Sequence, residues 1–146
     1  MAQTTENILF ENLIRNNHLT HFHAQIMLIL QAQLKTHPMN YDQPGELLGE
    51  ISENKALLLY FYSDRCAPCI SLRPKVEQLV HESFPEMKLI FVDSEKFQET
   101  TAHFQVFANP ALLIFFEGKE YYRLSKYVST SQLEEIISRP YEMAFD

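Results

Sequence analysis

Hydrophobic positions divide the chain into two stretches with different periods. Up to residue 40 the spacing is helical. Thr5 caps a segment that places Leu9, Phe10, Leu13 and Ile14 on one face and ends near Asn16-Asn17. A second segment carries Phe22, Ile26, Ile29, Leu30 and Leu34 at helical spacing, although its β-branched and alternating pieces also fit a strand. His37-Pro38 and the run Asn40-Tyr41-Asp42-Gln43-Pro44-Gly45 break the pattern and mark the boundary between an extension, 1–45, and a domain, 46–146.

Beyond the boundary, strands alternate with helices. Glu46 to Ser52 reads as a short helix, and Ala56 to Ser63 is a continuous apolar run of the kind expected from a central strand covered on both faces. A helix opens at Cys66 and runs to about Ser83 with Leu72, Val76, Leu79 and Val80 inward; Pro74 inside it predicts a kink. Lys88 to Asp93 reads as a second central strand, Gln98 to Phe104 as a short helix, and Ala111 to Glu117, after Pro110, as a third strand. Gly118-Lys119 is placed at a hairpin turn into Glu120 to Leu124. The last helix starts at Ser129, which has capping-box spacing to Gln132, and is expected to end at Arg139-Pro140. The order predicts an α/β domain, a central sheet flanked by helices, behind a mostly helical N-terminal extension.

Composition narrows the function classes. A hydrophobic fraction of 46% with only three glycines fits a packed core rather than a disordered chain. The net charge of −7 repels nucleic-acid phosphates and anionic bilayers, and no basic stripe offsets it, so neither partner is expected. The apolar stretch Ala24 to Leu34 is interrupted by glutamines and too short to span a bilayer. Met1 to Glu6 lacks a basic signal-peptide start, which makes a soluble protein of the reducing cytoplasm the default expectation.

Both cysteines fall in one motif, Cys66-Ala67-Pro68-Cys69. A structural staple closes a long loop, so this spacing suits redox chemistry or half of a metal site. A zinc ribbon needs a second pair, and His81 and His103 are isolated. In His18-Leu19-Thr20-His21-Phe22-His23, His23 lies roughly 200° around a helix from His21, so the three do not converge on a metal. Redox chemistry is left as the leading reading. Only a thiolate attacks a disulfide, and a cysteine where a helix begins meets unpaired N–H groups that favour the anion. Cys66 occupies that position, and Arg65 beside it adds positive potential. Cys69 is one turn further on, placed to resolve a mixed disulfide, and Pro68 in the first turn sacrifices no useful N–H.

Leu58 to Cys69, followed by Pro74, Val92-Asp93, Val106 to Phe115 and Gly118-Lys119, resembles the thioredoxin family over about a hundred residues, with its landmarks in the right order. The resemblance implies a thioredoxin-like fold in which Cys66 is the nucleophile, Cys69 the resolving thiol and Pro110 a cis-proline facing them. It also implies that the backbone of Asn109 pairs with an extended substrate segment. Arg65, Ala67 and Pro68 are assigned to the same substrate surface, where Arg65 with Asp64 either steers a charged substrate or is simply an exposed loop residue. The implied activity is reduction of protein disulfides, with an external reductant such as a thioredoxin reductase restoring the dithiol. The Cys66–Cys69 pair itself would carry the electrons, with no metal or organic cofactor.

Departures from the family pattern bear on efficiency. Arg65 replaces the usual tryptophan and Ala67 the usual glycine; Tyr60 stands where a buried aspartate often assists the resolving cysteine, Leu89 where a lysine neighbours it, and Lys126 where a glycine edges the substrate surface. Tyrosine, with a reference pKa of ~10, is a poor base at neutral pH, and Asp64 or water is left as a substitute. These changes keep open a second reading, a thioredoxin-fold binding module or adaptor with weak turnover. A thiol oxidant or isomerase would need an oxidising compartment.

Overall fold

A computed structural model describes residues 41–146, within the unit Asn40–Asp146, one of two into which the chain divides. The helices expected before residue 40, and His18, His21 and His23, lie outside the described residues. The described elements are α1 (Pro44–Glu53), β1 (Ala56–Tyr62), α2 (Ala67–Ser83), β2 (Lys88–Asp93), α3 (Gln98–His103), β3 (Ala111–Phe116), β4 (Lys119–Ser125) and α4 (Thr130–Phe145).

Among the described residues the sheet has four strands in the order β2-β1-β3-β4, with β1 parallel to β2 and antiparallel to β3, and β3 antiparallel to β4. β1 is the central strand its composition requires: every residue from Ala56 to Phe61 is buried. Alternate side chains supply two cores. Ala56, Leu58 and Tyr60 pack with Leu72, Val76 and Val80 of α2 and Leu133 and Ile137 of α4. On the other period-two positions, the Phe61 and Phe115 rings both lie against Phe104 (centroids 5.9 and 6.4 Å). α1 packs on β1 and α3, and the Lys88 ammonium is ion-paired with Glu50, joining β2 to α1.

Four expectations are corrected. β2 is an edge strand among the described residues rather than a central one, and only Ile90 and Val92 of it are buried. α1 begins at Pro44, two residues before Glu46, because proline is tolerated where helical N–H groups have no partner. The hairpin turn is Glu117-Gly118, with φ of 49° and 74°, the paired positive angles of a type I′ loop. α4 continues through Pro140 to Phe145. The hydrogen bond lost at Pro140 is outweighed by packing of Tyr141 and Phe145 against the core, where Tyr141 meets Phe84 (5.1 Å) and its hydroxyl accepts from the Glu86 N–H (2.9 Å). α2 likewise runs on through Pro74.

Candidate active site

β1 delivers the chain to the motif. After Tyr62 the backbone turns, with the Cys66 N–H donating to the Ser63 carbonyl (3.0 Å), and α2 starts at Ala67 with Cys66 as its N-cap. The Cys69 N–H of the helix start is shared between the Cys66 carbonyl (3.0 Å) and the Cys66 sulfur (3.2 Å), so a backbone donor is aimed at the sulfur. Cys66 and Cys69 are joined as a disulfide, Cα to Cα 5.2 Å. Their accessibilities differ: Cys66 is half-buried and Cys69 is fully buried. A partner sulfur can approach only the first. Ala67 and Pro68, in the first helical turn, are exposed.

The loop before Cys66 is braced by groups far away in sequence. Ser63 is buried; its hydroxyl donates to Glu95 (2.7 Å) and accepts the Arg65 N–H (3.2 Å). Glu95 also meets the Arg65 guanidinium at 3.5 Å. The positive potential expected from Arg65 is therefore largely offset by a neighbouring carboxylate. The pair is also solvent-exposed and worth at most ~1 kcal/mol.

The environment behind Cys69 differs from the usual acid and lysine. Tyr60 is fully buried and its hydroxyl donates to the Cys69 carbonyl at 3.2 Å. Burial pushes its pKa from 10.0 up to about 12, against the opposing charge of Arg73. It is a neutral donor throughout the physiological range. Leu89 pairs across the sheet with Leu58 and brings no charge. Asp64, exposed, is within 3.5 Å of Arg73, whose guanidinium lies 3.7 Å above the Tyr62 ring. Asp64 is thus held by a cation on the outside of the helix, a poor station for a base serving a buried thiol.

The Asn109–Pro110 bond is cis. Asn109 is tethered by its side-chain oxygen, which accepts from the Ser94 hydroxyl (3.0 Å), while the Ser94 N–H donates to the Tyr62 carbonyl (2.8 Å). These bonds tie the proline loop to the end of the strand that leads to the cysteines. Pro110 and Pro68 both line one groove of about 460 Å³, together with Lys75, Lys126 and Tyr127. The Lys126 N–H donates to the Pro110 carbonyl (3.0 Å), and Lys126 holds a left-handed backbone, φ 66°. That conformation costs a non-glycine residue ~1–2 kcal/mol.

The sequence pattern pointed to Cys66, Cys69, Pro68, Asn109 and Pro110, and the fold places Pro68 and Pro110 on one groove beside the disulfide. Arg65 is turned to Glu95 instead. Ser63, Arg73, Ser94 and Glu95 were not singled out as support for the site. Their roles depend on contacts 9 to 32 residues apart in the chain, which no local spacing announces. Among the described residues no cluster of three or more His, Cys, Asp or Glu side chains is placed to hold a metal ion.

A mixed sheet whose central strand feeds a Cys-x-x-Cys helix, beside a cis-proline loop, is the thioredoxin fold. The thioredoxin family profile matches residues 39–139, and the chain belongs to that family. It is 30% identical over 93 residues to the thioredoxin-like protein YdfQ of Bacillus subtilis, covering 64% of this chain and 82% of that one. It is 30% identical over 74 residues to a thioredoxin of Mycobacterium tuberculosis, covering 51% and 64% respectively. Among solved structures, thioredoxin of Fasciola hepatica superposes with a TM-score of 0.60 at 34% identity, over 65% of this chain and 91% of that one. A thioredoxin variant from Halobacterium salinarum gives 0.58 at 27% identity, over 64% and 82%. At the level of the family, this chain is a thiol–disulfide oxidoreductase. No helix of the described residues is long and apolar enough to cross a membrane.

Proposed function

We propose that the protein reduces disulfides in other proteins. The observation that carries this reading is the unequal exposure of two bonded cysteines at the start of a 17-residue helix. In the dithiol form, the Cys66 thiolate attacks one sulfur of a substrate disulfide. The substrate S–S bond breaks, a Cys66–substrate disulfide forms, and one substrate thiolate leaves. Cys69 then loses its proton to solvent and attacks the Cys66 sulfur, and the second substrate thiolate departs. Two electrons have passed to the substrate and the Cys66–Cys69 disulfide remains. An external dithiol, supplied in a reducing compartment by an enzyme of the thioredoxin-reductase type, returns the pair to its starting state. The sulfurs carry the electrons, so the cycle requires neither metal nor organic cofactor.

Within this reading, the backbone of Asn109 offers a strand-like edge to an extended substrate segment, and Ala67 and Pro68 form the opposite lip. The tether from Ser94 supports a fixed edge of this kind, because it leaves the Asn109 main chain outside any backbone hydrogen bond among the described residues. The test is insulin reduction with dithiothreitol as the electron source. Wild type accelerates precipitation of the insulin B chain and Cys66→Ser does not. Cys69→Ser accumulates adducts that dithiothreitol releases. Equal rates for wild type and Cys66→Ser would remove the reductase reading and leave a binding module on the same fold.

A further inference from the structure

Charge is distributed unevenly around the site. The chain carries 19 acidic against 12 basic residues, yet the groove beside Pro68 and Pro110 has no carboxylate in its lining. Its ionisable groups are Lys75, Lys126 and the Tyr127 phenol. Lys75 lies seven residues after Pro68, hence on the same face of α2, and is exposed. Lys126 comes from a different element, the turn after β4, and its N–H is bonded to the Pro110 carbonyl. Neither lysine is in an ion pair among the described residues, whereas Arg65 and Arg73 each have a carboxylate partner. Tyr127, 94% exposed, adds an aromatic side chain to the same lining.

Lys126 is also the costlier choice at its position. Its φ of 66° is one that glycine adopts freely, so the backbone gives no reason for a long cationic side chain there. A substrate strand laid along Asn109-Pro110 brings its side chains past both lysines. Within about three residues of the attacked cysteine, ~10 Å of extended chain, an acidic side chain in this groove would find two unpaired lysines and no carboxylate in the lining. The carboxylates near Cys66, Asp64 and Glu95, are each met by an arginine.

Building on the disulfide-reductase reading, we propose that this groove makes the protein selective for disulfides flanked by acidic side chains, with Lys75 and Lys126 as the specificity-determining residues. Attraction between exposed charges acts mainly on encounter and on the bound register, so selectivity belongs in kcat/KM at limiting substrate and falls with salt.

The test uses disulfide-linked dimers of one short peptide with Glu, Gln or Lys in the positions next to its cysteine, reduced by the full-length dithiol protein. Wild type should reduce the Glu peptide about three- to tenfold faster than the Gln peptide, and the Lys peptide more slowly than either. The Glu-to-Gln ratio should approach one in 1 M salt, where screening acts over ~3 Å. Lys75→Gln combined with Lys126→Gln should lower the ratio towards one at low salt, and Lys126→Arg should retain it. Equal rates for the three peptides with wild type, each abolished by Cys66→Ser, would overturn the selectivity while leaving the reductase intact. Failure to reduce any of them above the Cys66→Ser background would overturn both.

Discussion

Tyr60 takes the place behind the resolving cysteine where the family often has a carboxylate, and replacing it with phenylalanine separates its structural part from any chemical one. The side chain is fully buried and its hydroxyl makes a hydrogen bond of 3.2 Å to the Cys69 carbonyl. That length is at the weak end for O–H···O, and the carbonyl keeps its own place in the α2 ladder. Tyr60→Phe should therefore cost about 1 kcal/mol of stability, or roughly 4–8 °C in Tm for a domain of this size, read from urea and thermal unfolding of the oxidised protein. The pH dependence follows from the raised pKa. Between the ordinary value of 10.0 and about 12, the folded state keeps a proton that the unfolded chain has lost. The stabilisation is thus fully present below pH 10 and disappears as pH climbs to 12, by an amount on the order of 2–3 kcal/mol. Tyr60→Phe has no such proton, so its stability curve should fall less steeply there and cross that of wild type before pH 12; Tyr41, raised in the same way, contributes equally to both. Because Tyr60 is neutral at working pH, insulin reduction should change by less than about twofold, with the same pH profile. A tenfold loss of rate, together with disappearance of an ionisation between roughly pH 7 and 9, would show that the phenol carries the proton of the resolving thiol.

Other consequences can be checked directly. Glu117→Asn should raise stability by several tenths of a kcal/mol in urea unfolding, because asparagine tolerates the left-handed first position of the type I′ turn better than glutamate. Tyr141→Phe keeps the ring against Phe84 but removes the acceptor for the Glu86 N–H, and should cost ~0.5–1 kcal/mol. A neutral result would mean that α4 does not hold its place beyond Pro140. Arg65→Gln should alter the alkylation rate of reduced Cys66 by less than about threefold, since the guanidinium is exposed and its charge is met by Glu95. A larger drop would restore Arg65 as a source of thiolate stabilisation.

The parts legible in the sequence are those whose signal is local. The apolar run of β1 identified itself because a strand buried on both faces needs every position apolar, and the helix after Cys66 followed from the helical spacing of Leu72, Val76, Leu79 and Val80. Ser129 was legible as a cap, and its hydroxyl accepts the Gln132 N–H at 3.2 Å. The hairpin was recognised from Gly118, but its turn was placed one residue late because Glu117, a residue without any turn preference, takes the other positive φ. The end of α4 was misplaced because the stop signal of Pro140 is local, whereas the packing that overrides it comes from Phe84 and Glu86, more than fifty residues earlier. The apolar half of β2 resembles that of a central strand, and only the strand order shows it to be an edge. The support of the site was least visible: Ser63, Glu95, Ser94 and Arg73 are ordinary surface types until the fold brings them together.

The account depends on Cys66 reacting as an anion beneath the start of α2. The most direct measurement is the rate at which iodoacetamide modifies Cys66 in the reduced protein as pH is varied, with Cys69→Ser isolating the one thiol. Half-maximal reactivity is expected clearly below the ~8.5 of free cysteine, whereas a midpoint at or above it would contradict the proposed chemistry.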